Sequence, residues 1–309
     1  MPPARAEFAL PAKRASRAAF DRAAASFARA SVVHDWARQR LLERLDLVRI
    51  APEVVVDLGC ATGAGALALA RRYPGARVLA LDTSLAMLAA AEARLAGEAR
   101  TRVLAGDAER LPLADGAVEL VFANLVLPWC RPEPLFGEAA RVLSPGGLCT
   151  FATLGPDTLQ EVRRAWAAVD DRIHVHGAFD MHDLGDLASA AGLSEPVIDV
   201  DRIALTYTDV RALVRDLRAC GAVNTAAGRR TSLTGPGRWR RFADMLHARK
   251  RGDRFEVTVE LIFGQAWGAA ARRPVPARGE VVVPLSRVGR KAPQGGGSGR
   301  GNAARYRLW

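Results

Sequence analysis

The stretch Val54-Val-Val-Asp-Leu-Gly-Cys-Ala-Thr-Gly-Ala-Gly65 decides the fold of this protein. Its first five residues form an apolar run that predicts a buried β-strand, and the glycines after it predict a tight turn into a helix. Gly59 and Gly63 let the main chain turn sharply and approach a ligand without a Cβ in the way. A helix that starts directly after such a turn offers unpaired amides to that ligand. The stretch therefore predicts a ligand-binding strand–turn–helix unit, for which a dinucleotide site is one alternative.

The residues on both sides extend this unit into a regular alternation of strands and helices. Short apolar runs predict further strands at 77–82, 102–104, 118–126 and 148–153. Apolar residues at helical spacing predict helices at 64–73, 84–95 and 133–143. Buried strands that alternate with helices favour the α/β class, with a parallel, doubly wound, Rossmann-like sheet.

The chain outside this core divides into regions of different composition. Residues 1–50 are predicted to form an N-terminal helical cap, and residues 51–268 the α/β domain. Within that domain, extra helices after the fifth strand occupy about 156–250, and predicted strands lie at 196–207 and 255–266. Residues 269–309 are rich in Arg, Gly and Pro, so we expect them to be mostly disordered, apart from an edge-strand pattern at 279–284.

Composition excludes several classes of protein. The 309 residues are 50% hydrophobic and 25% charged, which is globular, and no apolar run is long enough to span a bilayer. The start of the chain lacks the apolar core of a secretory signal. The four cysteines form no CxxC pair, which favours a reducing, cytoplasmic setting. The net charge is +11, but residues 269–309 contribute +8 of it, so the rest of the chain gives little indication of nucleic-acid binding.

Three acidic residues stand at the ends of three successive predicted strands. Asp57 lies inside the first strand, where a dinucleotide fold normally has an apolar residue, and it suits a cationic group. Asp82 ends the second strand, where it can accept hydrogen bonds from two ribose hydroxyls. Asp107 follows the third strand, where an adenine amino group would be met. Each could be a structural cap or loop acid, but together they predict an S-adenosylmethionine site at the carboxyl edge of the sheet.

With this constellation the chain resembles the class I methyltransferases and, more narrowly, the BioC family, the malonyl-acyl-carrier-protein O-methyltransferases of biotin synthesis. The resemblance covers about residues 15–268. Its most specific motifs are Gly155-Pro-Asp-Thr-Leu159 and Gly221-Ala-Val-Asn224. It is also carried by the stretches 20–27, 127–130, 153–163, 174–186 and 255–268. Two departures are Ala61, where the common form has Gly, and Phe27, where Tyr is frequent and a hydroxyl contact is lost.

The resemblance implies S-adenosylmethionine as cofactor and methylation of the free carboxylate of malonyl-acyl carrier protein. The expected cofactor-binding residues are Phe27, Asp57, Gly59, Cys60, Ala61, Gly63, Asp82, Thr83, Met87, Asp107, Ala108 and Asn124. Because a carboxylate is ionised at pH 7, the reaction needs no general base, and we expect no catalytic acid–base pair. The alternative is a related class I enzyme or assembly factor that acts on a protein arginine or another acceptor.

The substrate carboxylate needs hydrogen-bond donors. The expected substrate-binding residues are Trp129, Arg163, His174 and His176. Arg164 is the alternative to Arg163, since only one of two adjacent arginines on a helix can face a pocket. His182 is a further candidate donor. His174 and His176 could also suggest a metal pair, but no third ligand follows at a recognisable spacing, so no metal is expected.

The expected partner is the malonyl-loaded acyl carrier protein, and the resemblance implies that this carrier is an acidic helix bundle. It would need an arginine docking patch on the methyltransferase. Candidates are Arg211, Arg215, Arg218, Arg229, Arg230, Arg238, Arg240 and Arg241. Neither a nucleic acid nor a membrane is expected as a partner. The oligomeric state stays open, with a monomer as the default.

Overall fold

The computed structural model describes residues 11–226 and 228–269. The strands in this part of the chain are β1 (Val54–Leu58), β2 (Arg77–Asp82), β3 (Thr101–Ala105), β4 (Val118–Asn124), β5 (Leu143–Leu154), β6 (Leu193–Tyr207) and β7 (Phe255–Gly268). The α-helices are α1 (Lys13–Ala30), α2 (Val32–Arg44), α3 (Ala64–Arg72), α4 (Leu85–Leu95), α5 (Pro132–Val142), α6 (Gln160–Ala167), α7 (Met181–Ala190), α8 (Val210–Ala219) and α9 (Pro236–His247). The predicted alternation is confirmed, and the ends of the elements differ from the predicted bounds by a few residues.

The strands form one sheet in the order β3-β2-β1-β4-β5-β7-β6. The first five strands pair in parallel, whereas β7 runs antiparallel to both β5 and β6. The sheet is therefore mixed and not wholly parallel. Exposed and less exposed residues alternate along β6, as in an antiparallel edge pair with one solvent-facing side. The chain leaves β1 in one direction and β4 in the other, which puts the topological switch point between them.

The core lies on both faces of this sheet. On one face, α2, α3 and α4 pack against strand residues such as Val55 and Phe122. On the other face, α5 and α7 pack against Val56 and Phe151. Consecutive residues Val55 and Val56 belong to opposite faces because side chains alternate along a strand. This three-layer packing holds the carboxyl ends of β1 to β4 as a rigid edge.

Helices α6, α8 and α9 form a separate apolar cluster over β7. Val162 of α6, Leu213 of α8 and Phe242 of α9 are buried together with Phe255 and Val257. They correspond to the extra helices expected over about 156–250. This cluster positions a second group of side chains beside the carboxyl end of β5.

Helix α1 contacts both the sheet domain and the helices added after β5. Ser84 Oγ, just before α4, donates to Asp21 Oδ1 at 2.6 Å. Ser26 Oγ donates to the main-chain oxygen of Ala219 in α8 at 2.8 Å. The helical cap is thus held against both the sheet domain and the added helices. The division of the chain at residues 50 and 268 stays a prediction.

Two predictions fall on the C-terminal stretch. The edge-strand pattern at 279–284, and all of the expected tail except Ala269, lie outside the described residues. Within those residues, no helix combines the length and apolarity needed to cross a membrane.

Candidate active site

The turn after β1 brings the main chain unusually close to its neighbours. Gly59 has a φ of +68°, and a Cβ added there would lie 2.7 Å from Cβ of Val126. The N–H groups of Gly59 and Cys60 both donate to the main-chain oxygen of Leu81, at 2.8 and 3.0 Å. Gly63, with a φ of +78°, is the N-cap of α3. The turn is therefore fixed in a conformation that glycine favours at these two positions.

Asp57 is a buried carboxyl group that has an unused acceptor. The main-chain N–H of Ala66 hydrogen-bonds to the Asp57 carboxylate, but Oδ2 has no partner within the described residues. A Cβ on Gly65 would lie 2.7 Å from that Oδ2, so only glycine fits there. Burial raises the pKa of Asp57 to about 7, although the Ala66 hydrogen bond lowers it. A cationic ligand beside Oδ2 would restore the ionised form.

Asp82 organises the loop between β2 and α4. Its Oδ2 accepts the N–H of Ala61 at 3.0 Å, and its Oδ1 accepts the N–H of Ser84 at 2.8 Å. Burial raises the pKa of Asp82, while hydrogen bonds from main-chain amides lower it. Each carboxylate oxygen has a second acceptor site, so Asp82 can still receive two hydroxyl groups from a ligand.

Asp107 lies at the start of the loop after β3 and pairs with the start of α1. Its Oδ1 accepts the N–H of Glu109 at 3.0 Å, and its Oδ2 lies 2.6 Å from Lys13 Nζ. Lys13 Nζ is also 2.9 Å from Glu109 Oε2. This ion pair places the beginning of α1 over the carboxyl end of β3.

These loops and α1 enclose a first cavity of about 580 Å³. The expected cofactor-binding residues that line it are Phe27, Gly59, Ala61, Asp82, Thr83, Asp107, Ala108 and Asn124. A small cavity of about 170 Å³ adjoins it through shared residues and adds Asp57 and Cys60. Gly63 and Met87 are not in either lining. Met87 is fully buried and packs behind the site with Phe27 and Cys220.

A second cavity of about 620 Å³ lies beside the first, under α6, α8 and α9. Trp129, in the turn after β4, lines both cavities. Its ring makes edge contacts with Phe20 of α1 at 4.9 Å and with His176 at 5.3 Å between centroids. The structure thus brings all four expected substrate-binding residues, Trp129, Arg163, His174 and His176, to this second cavity.

Arg163 is a cation with neutral partners. Its guanidinium donates to the main-chain oxygens of Pro156 at 3.1 Å and Thr158 at 3.3 Å. Burial lowers its pKa, yet arginine stays charged in proteins. Within the described residues, no carboxylate forms an ion pair with it. Arg164, the neighbouring alternative, is exposed on the outer side of α6 and does not line the cavity.

The two histidines have different partners. His174 Nε2 is 2.7 Å from Asp170 Oδ1, and its ring stacks on Trp166 with centroids 3.8 Å apart. His176 Nε2 accepts the N–H of Thr225 at 2.8 Å, so its remaining proton is on Nδ1. Burial, and secondarily Arg229, lowers the pKa of His176, so it is a neutral donor. The third histidine considered as a donor, His182, is exposed on α7 and outside the cavity lining.

The loop after β5 is held by buried acids on β7 and α6. Glu260 Oε2 accepts the N–H of Asp157 at 2.8 Å, and Thr158 Oγ1 donates to the main-chain oxygen of Glu260 at 3.0 Å. Glu161 Oε1 accepts from Thr258 Oγ1 at 2.7 Å. These contacts give Thr158 and Glu161 a role, because they fix the loop whose main-chain oxygens accept hydrogen bonds from Arg163.

Comparison with known proteins places these features in a family. A family model described as a methyltransferase domain matches residues 56–151. The malonyl-[acyl-carrier protein] O-methyltransferase of Laribacter hongkongensis is 43% identical over 265 residues, which are 83% of this chain and 89% of the relative. The enzyme of the same name from Methylovorus sp. is 42% identical over 267 residues, 84% and 90% of the two chains. This chain belongs to the malonyl-[acyl-carrier protein] O-methyltransferase family.

Solved structures support the fold of this methyltransferase. The YcgJ protein from Bacillus subtilis is 16% identical, covers 75% of this chain and 98% of its own, and has a TM-score of 0.54. A protein from Bacillus halodurans C-125 is 18% identical, covers 75% and 99%, and has a TM-score of 0.53. At this identity the likeness shows the fold alone, and it agrees with the predicted Rossmann-like class.

Sequence reasoning missed several residues that line the cavities of the methyltransferase. Lys13, Phe20 and His34 line the first cavity, and Arg38 lines the small one beside Asp57. All four belong to α1 or α2. The regular helical spacing of these segments predicted helices but gave no sign of which face turns toward the sheet.

Proposed function

We propose that this protein transfers the methyl group of S-adenosylmethionine to the free carboxylate of a malonyl group carried by acyl carrier protein, giving the methyl ester. One observation carries the proposal. Two cavities share the side chain of Trp129. Within the described residues, the first cavity and the small one that adjoins it have unpaired acceptors for a cationic nucleoside ligand, and the second has an arginine without a carboxylate partner. A methyl donor and an anionic acceptor can therefore be held side by side.

The residues around the first cavity fit the cofactor. Asp57 Oδ2 and Asn124 Oδ1 are buried acceptors without partners in the described structure, as expected where a ligand supplies the missing donors. Gly59 leaves the approach to the turn free of a side chain. Asp57 would hold the ammonium group, Asp82 the ribose hydroxyls and Asp107 the adenine amino group. Bound there, S-adenosylmethionine supplies an electrophilic methyl group on a sulfonium.

The chain's own residues need only bind, orient and shield the acceptor. The malonyl carboxylate is already ionised at neutral pH, so no side chain has to remove a proton. Arg163 would hold one carboxylate oxygen through its guanidinium, which leaves the other oxygen free to attack. His176, as a neutral Nδ1–H donor, would orient the acyl group without adding a second charge. The aromatic walls formed by Phe20, Trp129 and Trp166 would exclude water, and alignment then provides most of the rate.

The surface around the second cavity fits an acidic carrier protein. Residues 209–254 contain 12 basic and 4 acidic residues. Within the described residues, none of the eight arginines expected to form the docking patch lies within 4.0 Å of a carboxylate oxygen. Arg211, Arg215 and Arg218 are exposed on α8, and Arg218 also lines the cavity. Unpaired cations at the entrance would attract an anionic partner and orient its acyl group toward the opening.

We also propose a cytoplasmic location. All four cysteines are free thiols. Burial raises the pKa of Cys130 and of Cys149 to about 12, which keeps both protonated and argues for packing roles.

The test is transfer of label from methyl-labelled S-adenosylmethionine to malonyl-acyl carrier protein. Base-labile label on the carrier is expected, because a carboxyl methyl ester hydrolyses in mild base whereas an N-methyl group does not. Succinyl- and acetyl-carriers are the matched controls, and acetyl, which has no free carboxylate, should stay unlabelled. Cofactor binding without base-labile label on the malonyl carrier would refute the acceptor and favour a protein or RNA substrate.

A further inference from the structure

Phe27 and His34 form one wall at the place where the first cavity and the small cavity adjoin. Phe27 lies near the end of α1 and His34 in the first turns of α2, and both line both cavities. Their rings are in edge contact, with centroids 4.9 Å apart and planes at 62°. The small cavity also contains Asp57 and Arg38, whereas Asp82 and Asp107 line only the first. The wall therefore stands between the ammonium side and the nucleoside side of the proposed cofactor site.

One ring nitrogen of His34 is shielded from solvent. Its Nδ1 is buried and has no hydrogen-bond partner within the described residues. Burial lowers the pKa of His34 to about 4, despite Asp35 nearby, so the ring is neutral near pH 7. Unpaired buried polar atoms are rare and costly in folded proteins, and at a cavity a bound ligand can supply the missing partner.

The main chain at His34 is held by a hydrogen bond from the sheet. Asn124 Nδ2, at the end of β4, donates to the main-chain oxygen of His34 at 3.0 Å. Asn124 Oδ1 is itself buried without a partner among the described residues, and Asn124 lines the same two cavities. The main chain at His34 is thus tied to a residue whose own unpaired oxygen lines the same cavities. Phe27, which shares the wall, offers no polar atom at all.

We propose that His34 is a cofactor-binding residue whose Nδ1 hydrogen-bonds the amino-acid end of S-adenosylmethionine, supplying the polar contact that Phe27 does not make. This inference rests on the cofactor part of the proposed function and not on the acceptor. Arg38 and Asp57 line the small cavity together with His34, so the three side chains would hold the carboxylate and ammonium groups of the ligand.

The test is equilibrium binding of S-adenosylhomocysteine, measured by calorimetry at pH 7.5 without acceptor. His34→Phe keeps an aromatic wall but removes Nδ1, and we expect binding to weaken roughly five- to tenfold. His34→Gln keeps a polar atom and should bind more tightly than His34→Phe. The melting temperature of the ligand-free His34→Phe protein should not fall, because the change removes an unsatisfied buried atom. A fall in melting temperature with unchanged binding would show a merely structural role and overturn the proposal.

His247→Phe is the matched control. His247 Nε2, on α9, is likewise buried without a partner in the described structure, but the residue lines none of the three cavities. Its replacement should leave S-adenosylhomocysteine binding unchanged.

Methylthioadenosine, which lacks the amino-acid end, locates the contact. His34→Phe should weaken S-adenosylhomocysteine binding and leave methylthioadenosine binding unchanged, and equal losses for both ligands would overturn the assigned contact. A wild-type protein that binds neither ligand would instead contradict the cofactor assignment itself. A wild-type protein that binds the cofactor but fails to methylate malonyl-carrier would contradict only the proposed acceptor.

Discussion

The main-chain N–H of Ala61 lies 3.0 Å from Oδ2 of Asp82. Ala61 makes this hydrogen bond with a φ of +45°, in the left-handed region that favours glycine. The bond ties the turn after β1 to the carboxyl end of β2 and fixes the carboxylate that we assign to the ribose. The departure from the common glycine at position 61 therefore falls on a strained residue in the centre of the site.

Replacing Ala61 with glycine should relieve that strain. The left-handed conformation costs alanine about 1–2 kcal/mol. Against this, glycine in place of alanine lowers the free energy of unfolding by about 0.4–1 kcal/mol, because the unfolded chain gains conformational freedom. We expect Ala61→Gly to raise the free energy of unfolding by up to about 1 kcal/mol in urea titrations. Ala70→Gly, inside α3, should lower it by about 1 kcal/mol. Two changes of the same sign would contradict the strain argument.

The sequence contained enough to predict most of the fold. Alternating apolar runs and helical segments located β1 to β5 and the helices between them, because burial on both faces leaves a simple pattern. Asp57, Asp82 and Asp107 could be assigned to one site because parallel strands end at the same edge of a sheet. The direction of β7 could not be predicted, since the pattern of a strand is the same for both directions.

The site residues on α1 and α2 could not be predicted in this way. Lys13, His34 and Arg38 reach the site only because α1 and α2 pack across the edge of the sheet. Met87 was expected in the site from the family resemblance. The structure turns it instead into the apolar cluster beneath α1, where the inward face of α4 lies. A role of Met87 in cofactor binding stays a prediction, and the residue lines neither cavity of the cofactor site.

Asp57 should make cofactor affinity depend on pH. Burial raises its pKa from 3.8 to about 7, opposed by the Ala66 hydrogen bond and by Arg38 and reinforced by Asp82. The ionised form binds an ammonium group, so affinity for S-adenosylhomocysteine should rise with pH up to about 7, by at most about tenfold per pH unit. Asp57→Asn should bind weakly at every pH. Calorimetry from pH 5.5 to 8.5 tests this, and a flat wild-type profile would contradict it.

The same pKa shift predicts the pH dependence of the ligand-free protein. A carboxyl whose folded pKa is raised stabilises the fold fully below its unfolded pKa of 3.8 and loses that contribution as pH rises through about 7. Asp57→Asn should therefore be more stable than wild type at pH 8 and close to it near pH 4. Urea unfolding at the two pH values measures the difference. Equal gains at both would show that ionisation is not the cause.

Arg163 should matter for the acceptor and not for the cofactor. Arg163→Gln removes a charged hydrogen bond to the malonyl carboxylate, so KM for malonyl-carrier should rise about 10- to 100-fold. Binding of S-adenosylhomocysteine should stay within about twofold, since Arg163 lines only the second cavity. The control is Arg164→Gln, one residue along α6 and exposed. If both variants behave alike, the assignment of the carboxylate contact is wrong.

Gly221 should couple the added helices to cofactor binding. It has a φ of +76°, and a Cβ there would lie 2.6 Å from Cδ1 of Phe20 in α1. Gly221→Ala should displace Phe20 and weaken S-adenosylhomocysteine binding several-fold, although Gly221 lines neither cofactor cavity. Gly252→Ala is the control, because Gly252 has a φ of +65° with open space around it. It shares the backbone strain without the clash, so equal losses of binding would rule out the contact with Phe20.

The arginines of α8 should act on the carrier and not on the acyl group. Arg211→Glu with Arg215→Glu places two negative charges on the exposed face of α8, where an acidic partner would be repelled. KM for malonyl-carrier should rise at least about tenfold at low salt, and the difference from wild type should shrink as salt screens the charges. KM for malonyl-CoA should stay unchanged, because a small substrate does not need the patch.

Arg77→Glu makes the docking test specific. Arg77 is exposed at the amino end of β2, on the edge of the sheet opposite the site. This variant changes the net charge without touching the proposed patch, so its KM for malonyl-carrier should match that of wild type. If Arg77→Glu impairs the carrier reaction as much as the double variant of α8 does, the attraction depends on the total charge of the protein. If the double variant of α8 also raises KM for malonyl-CoA, Arg211 and Arg215 act within the cavity and the docking surface lies elsewhere.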